Sequence, residues 1–312
     1  MRVGVLLAAD SAELKAAHRL GFRSLEWMRF EASPAAAEHG DWKSFATQFA
    51  AEAHALGLRI SAIGALYRNP LDPKQTDFAR RIFYRAIEVA AAIGVRIVSG
   101  FPGAVIEPTV NERGGNPVYH VNEQHLSRLL EFWEPIADFA RDHGVRIAFE
   151  HCPQGSWHLP VMHYNAFGQP AMWERFFDAT RCENIGLEWD PSHLICQFVD
   201  PVANLRKFRS RVFHVHAKDA RIDRALLAQH GLCHPGVAEH RFPGFGDADW
   251  AEIIHTLVRV GYDSDLNIEG WHDPVFRNHP SEENSPCAGQ RLEETGLRIA
   301  KATLERFVPP EP

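Results

Sequence analysis

Apolar and polar positions alternate with period two in four short runs, and each run finishes on a side chain able to bind a metal. They are Arg146-Ile147-Ala148-Phe149-Glu150, Gly186-Leu187-Glu188-Trp189-Asp190, Val212-Phe213-His214-Val215-His216 and Asp265-Leu266-Asn267-Ile268-Glu269. Successive side chains on a strand point to opposite faces. One face of these runs is therefore apolar (Ile147, Phe149, Leu187, Trp189, Phe213, Val215, Leu266, Ile268) and suits covering helices. The other gathers Ala148, Glu150, Gly186, Glu188, Asp190, His214, His216, Asn267 and Glu269. An uncompensated carboxylate in a low-dielectric interior is strongly destabilising, whereas a cation among several of them makes the same cluster favourable. One divalent metal at one end of a barrel accounts for all four run ends.

Between the strand-like runs the spacing changes to that of helices: Trp42, Phe45, Phe49 and Leu56; Phe78, Ile82, Ala86, Ala90 and Ile93; Leu126, Leu129, Trp133, Ile136 and Ala140; Trp250, Ile253, Leu257 and Val260. These stripes read as core packing. Where a helical pattern hands over to a strand a short signature recurs: Leu20-Gly21-Phe22-Arg23, Leu56-Gly57-Leu58-Arg59, Ile93-Gly94-Val95-Arg96 and His143-Gly144-Val145-Arg146, with Gly261-Tyr262 as a shorter version. Glycine there fits a helix C-terminus that needs positive φ. Strands are predicted near residues 2–7, 23–28, 58–64, 95–99, 145–150, 184–190, 211–217 and 265–269, each followed by a helix. Eight such units predict a single-domain α/β fold over 1–312, a (β/α)8 TIM barrel. Segments leaving the strands (roughly 101–121, 151–169, 217–247 and 270–286) are longer than those entering them, which places the elaborate loops on the C-terminal face.

Composition narrows the function classes. The 312 residues carry a formal charge of −7 without a clustered Lys/Arg run, against non-specific nucleic-acid affinity. No apolar run is long enough to cross a bilayer, and Met1 leads straight into Arg2-Val3-Gly4-Val5-Leu6-Leu7 with no leader pattern, so the expectation is a cytoplasmic protein. Five cysteines (Cys152, Cys182, Cys196, Cys233, Cys287) without paired spacing point to reduced thiols. Cys152 and Cys196 flank the proposed site but have no local orienting partner, so they read as small apolar residues. Of the 18 histidines, those in loops, among them His151, His158, His163, His230, His234, His240, His272 and His279, read first as solvated.

The strongest local signal is Asp190-Pro191-Ser192-His193 with His214-Val215-His216-Ala217-Lys218-Asp219, then Arg241-Phe242-Pro243-Gly244-Phe245-Gly246 and Glu269. Through these motifs the chain resembles the xylose-isomerase-like barrel superfamily, the sugar phosphate isomerase/epimerase group that includes ketose 3-epimerases, inosose dehydratases and, more distantly, endonuclease IV. The resemblance covers essentially the whole chain and is sharpest from residue 145 onward. It implies a divalent ion held by Glu150, Asp190, His216 and Glu269. Oxygen-rich ligation with one imidazole suits Mn²⁺ or Mg²⁺, with Zn²⁺ or Co²⁺ as alternatives. It further implies that Glu150 and Glu269 move protons on opposite faces of a bound sugar, through an enediolate formed next to a carbonyl. His193, Lys218 and Arg241 are the expected substrate-binding residues. Trp157, Trp271 and Phe245 are placed to stack on a sugar ring.

Two departures from the 3-epimerase pattern bear on the substrate. His151-Cys152-Pro153-Gln154-Gly155-Ser156-Trp157 supplies no second carboxylate, and His240 stands where many relatives place an arginine. Gly270-Trp271-His272-Asp273-Pro274 and the long 217–247 loop look closer to a subgroup with catalytic subunits of C-glycoside deglycosidases, lyases that associate with a small β-rich partner. The expectation is a metal-dependent sugar isomerase or epimerase, with a lyase or dehydratase on keto-sugars or 3-keto glycosides as the alternative. An endonuclease IV-like nuclease and a non-catalytic sugar-binding barrel rank lower. The expected partner is a small sugar or keto-sugar, without nucleic acid or membrane, in a homo-oligomer and with room for a small β-rich subunit.

Overall fold

The computed structural model describes all residues except 66–68, 107–108, 111–116, 119–120, 154–163 and 310–312. Of the residues singled out above, Trp157, His158 and His163 lie outside the described residues. Eight parallel strands close into a barrel in which each pairs with its sequence neighbours and the last returns to the first. They are β1 (Val3–Leu7), β2 (Ser24–Trp27), β3 (Arg59–Gly64), β4 (Ile97–Gly100), β5 (Arg146–Glu150), β6 (Ile185–Trp189), β7 (Val212–Ala217) and β8 (Leu266–Ile268). Every strand is followed by helix, as the alternating patterns predict. The handover glycines adopt the left-handed conformation, with φ of 75° at Gly94 and 70° at Gly144. At the other helix ends, Asp10, Asp41, Asp200 and Asp249 accept backbone N–H bonds as N-caps.

The core lies between the strands' outer faces and the helices. Trp133 is fully buried, packed edge-on against Phe83 and Phe149 with centroids 4.6 Å away, and its indole N–H reaches the Pro102 carbonyl at 2.7 Å. Ile147, Phe149, Leu187, Trp189, Val215, Leu266 and Ile268 face this shell as their parity requires.

Phe213 does not. The β6–β7 register slips from Leu187 opposite Val212 to Glu188 opposite His214, so Phe213 is one residue too many on β7. The bulge turns its ring inward, where it packs with Ala62, Ile97 and Ala148. Space for it depends on Gly186, where a Cβ would stand 2.6 Å from the Phe213 ring. Above this apolar floor the interior is polar: Ser24, Glu26, Ser99, Glu188, His214 and Asn267 are fully buried. Barrels of this type are usually filled by branched apolar layers.

After β7 the chain makes a two-stranded hairpin, Asp219–Ile222 with Ala238–Arg241, around a short helix, Arg224–His230. The hairpin packs through Ala220 and Ile222 on Ile195 and Cys196 of the helix Pro191–Cys196. Buried Asp219 anchors its exit by accepting from Gly244 N, Ala248 N and Trp250 Nε1 at 3.0–3.1 Å. No helix among the described residues is long and apolar enough to cross a membrane.

Candidate metal centre

Glu150 ends β5, Asp190 follows β6, His216 is the penultimate residue of β7 and Glu269 follows β8. Four strands thus deliver four ligand atoms to the mouth, all within 4.8 Å of one another. His216 Nδ1 is 3.0 Å from Glu150 Oε2 and 3.3 Å from Glu269 Oε2. Asp190 divides its carboxylate: Oδ1 accepts from Ser192 N at 2.8 Å and caps the helix Pro191–Cys196, while Oδ2 turns to the cluster. Glu150 Oε1 accepts from Cys152 N at 3.0 Å.

The remaining neighbours carry charge or imidazoles. Lys218, 2 % exposed, places Nζ 2.6 Å from Glu269 Oε2 and 3.0 Å from Asp190 Oδ2. His193 sets Nε2 3.2 Å from Asp190 Oδ2 and 3.5 Å from Glu150 Oε1. His272 Nε2 is 3.3 Å from Glu269 Oε1. Arg241 does not join them: its Nε is 3.2 Å from Asp273 Oδ2, which also accepts from Phe242 N. Strand alternation in the hairpin instead brings His240 inward, its ring edge-on to His193 with centroids 4.9 Å apart. Trp271 sits beside His272 at the mouth, and Phe245 stacks on Phe276.

Two loop histidines expected in solvent are buried. His151 Nε2 accepts the Asp190 backbone N–H at 2.8 Å, which ties the end of β5 to the end of β6. His279 bridges Glu283 and the Val275 carbonyl. None of the five cysteines forms a disulfide, and burial pushes Cys196 up to about 12, so it stays protonated. Sequence reasoning also passed over Glu26. Its signal was the same alternation in Ser24-Leu25-Glu26-Trp27, with Leu25 and Trp27 outward and Glu26 inward.

The donor set fits a divalent cation. Asp190 Oδ2 and His216 Nδ1 are buried and face only charged or ionisable neighbours: Lys218 and His193 for the first, Glu150 and Glu269 for the second. His216 Nε2 is bonded to Glu26 Oε2 at 2.8 Å, which directs Nδ1 at Glu150 and Glu269; against the effect of burial, Glu188, Glu26 and Glu150 hold the ring's pKa well above its usual range, so a cation at Nδ1 would take the place of a proton there. Glu26, Glu150, Glu188, Asp190 and Glu269 are all buried, and among the described residues Lys218 is the one ammonium between them. Three carboxylates and one imidazole make a hard, oxygen-rich set.

Without a cation the two glutamates differ. Burial lifts Glu150 to about 7, against the pull of His216 and Lys218. Burial acts on Glu269 too, but Lys218 and hydrogen bonds from His216 and His272 outweigh it and hold the group well below the usual carboxylate range. Burial pushes His193 well below its usual range, and His240 down to about 3, so both rings stay neutral. A divalent ion bound here would displace the Glu150 proton and the Nδ1 proton of His216. Apparent Mn²⁺ affinity should therefore fall as pH falls, more steeply below about 7, with release of protons; calorimetry in buffers of different ionisation enthalpy checks this, and a flat affinity from pH 5 to 8 contradicts it.

A family model described as xylose isomerase-like TIM barrel matches residues 14–300. The uncharacterized protein YfiH of Bacillus subtilis (strain 168) is 27% identical over 226 residues, 64% of this chain and 68% of that protein. Inosose dehydratase of Lacticaseibacillus casei is 25% identical over 231 residues, 72% of this chain and 74% of that enzyme. Among solved structures, D-psicose 3-epimerase with D-tagatose from Clostridium cellulolyticum H10 superposes with a TM-score of 0.69 at 15% identity, covering 99% of this chain and 100% of that one. Mannonate dehydratase from Streptococcus suis serotype2 gives 0.68 at 14% identity, with 100% and 97% covered. At these identities the structural likeness speaks for the fold.

Proposed function

Since the chain belongs to the xylose isomerase-like TIM barrel family, we propose that it is a divalent-metal-dependent sugar isomerase or epimerase that removes a proton next to a carbonyl. The observation that carries this reading is the pair Glu150 and Glu269, one on each side of His216 Nδ1 and differing in proton affinity. Neighbouring carboxylates held in different protonation states are suited to acid and base roles.

A divalent ion held by Glu150, Asp190, His216 and Glu269 would supply positive charge to the substrate oxygen that becomes anionic. Glu269, ionised and oriented by Lys218, takes the proton from the carbon next to the carbonyl. The bonding electrons move toward the carbonyl oxygen, and Glu150 relays a proton taken up from solvent to the opposite face of the same carbon. His193, neutral and buried against both Asp190 and Glu150, offers a ring nitrogen to a sugar hydroxyl. Proton exchange with solvent resets the pair.

A second reading is favoured by the similarity to inosose dehydratase. After the same proton removal, a hydroxyl on the next carbon leaves with its bonding pair and departs as water with a proton that Glu150 relays from solvent. A glycosidic oxygen could leave in the same way, which is the lyase form. The metal-loaded protein incubated in deuterium oxide with ketoses, inososes and 3-keto glycosides separates the readings. Deuterium at the carbon next to the carbonyl with the carbon skeleton and substituents intact supports the epimerase, and formation of an unsaturated or cleaved product supports the lyase. No exchange with any of them removes both.

A further inference from the structure

Beneath the four ligand atoms the barrel holds a second polar layer of Glu26, Glu188 and His214, all with 0% exposure. With His216 they bring ligand atoms within 4.8 Å of one another, which by composition alone would pass for a second cation site. The hydrogen bonds give the layer a different task. Glu26 Oε2 is 2.8 Å from His216 Nε2, and Glu26 Oε1 accepts from Ser99 Oγ at 2.9 Å. His214 Nδ1 is 2.9 Å from Glu188 Oε1. The imidazole nitrogens that face this layer point at carboxylate oxygens at hydrogen-bond distance, so each presents a proton and not a lone pair. Gly64 leaves the room Glu26 needs, since a Cβ there would stand 2.9 Å from Glu26 Oε1.

From this geometry we propose that Glu26 is a positioning residue, which keeps the His216 proton on Nε2 and so presents Nδ1 as a ligand to the cation held with Glu150, Asp190 and Glu269. The inference rests on the metal reading above. A carboxylate behind a ligating imidazole fixes its tautomer and orientation and raises its basicity, and losing such a partner weakens metal binding by about 10–100-fold.

The test is an Mn²⁺ titration of the metal-free full chain, read by the electron paramagnetic resonance of free Mn²⁺. Wild type, Glu26→Leu and Glu26→Gln are compared, with thermal unfolding of each metal-free protein alongside. Wild type should bind one Mn²⁺ per chain. Glu26→Leu should keep that stoichiometry and bind about 10–100-fold more weakly. Glu26→Gln keeps a carbonyl that can accept the Nε2 proton and should recover most of the affinity, whatever its unfolding temperature. Zn²⁺-loaded wild type with ¹⁵N-labelled histidine should show His216 protonated at Nε2, assigned by loss of the signals in His216→Asn. This measurement stands even where Glu26→Leu fails to fold. Unchanged affinity in Glu26→Leu, a proton on Nδ1, or two Mn²⁺ per chain with one lost in Glu26→Leu would each overturn the positioning role. Wild type that binds no Mn²⁺ would overturn the metal reading itself, and this inference with it.

Discussion

Turnover of the Glu269→Gln variant is expected to fall by about 10²–10⁴-fold, the range for loss of a positioned proton-transfer group. The amide preserves size and still meets Lys218 and His272, which now lie 2.6 Å and 3.3 Å from the carboxylate oxygens. What it removes is the oxygen that takes a proton. Substrate-dependent exchange with deuterium oxide should fall with turnover, because proton removal comes first in both the epimerase and the lyase schemes. Glu150→Gln should match it in turnover, because the proton delivered to the opposite face passes through this carboxylate. Measured metal content for each variant separates loss of proton transfer from loss of the cation. Near-normal turnover in either variant would end its assignment as a proton carrier.

The second large effect is on stability. Lys218→Met should destabilise the metal-free protein by about 3–5 kcal/mol, the cost of leaving a buried partner charge uncompensated. Burial alone would lower the lysine's pKa, but Asp190, Glu269 and Glu150 raise it well above its usual value. The ammonium therefore stays charged through the neutral range. In the variant Asp190 and Glu269 lose that charge, and protonation is their remaining relief. The deficit should shrink as pH falls, because protons neutralise the orphaned carboxylates, and should also shrink with saturating Mn²⁺, which binds only the folded state. Thermal unfolding at pH 5.5 and 8, with and without Mn²⁺, measures both. An unfolding temperature equal to wild type at pH 8 without metal would show that Lys218 contributes nothing to holding these carboxylates.

Most of the barrel could be read in advance because its two periods are clean. Val145 to Glu150 alternates strictly, and Leu126, Leu129, Trp133, Ile136 and Ala140 keep helical spacing around it, with Gly144 marking the handover. The ligand cluster was legible for the same reason: alternation fixes which face a strand-end side chain occupies. Alternation also explains the misses. Phe213 was assigned outward by parity, but a bulge adds one residue to β7 and turns the ring inward, and a bulge leaves no mark in the hydrophobic pattern. Arg241, expected over the site from its place before the Pro-Gly turn, pairs with Asp273, while its neighbour His240 packs against His193, a partition the turn motif does not encode. The burial of His151 depends on the backbone N–H of Asp190, a contact between strands that sequence spacing does not encode.

Asp190 has one further consequence. Its two oxygens serve different structures, one holding the first turn of the helix that carries His193, the other facing the cluster. A glutamate would reach past one of the two, an asparagine would offer a single oxygen to both, and a histidine could not cap while it ligates. Position 190 is therefore a joint between scaffold and mouth: a single substitution here should loosen the helix start and disturb the cluster together.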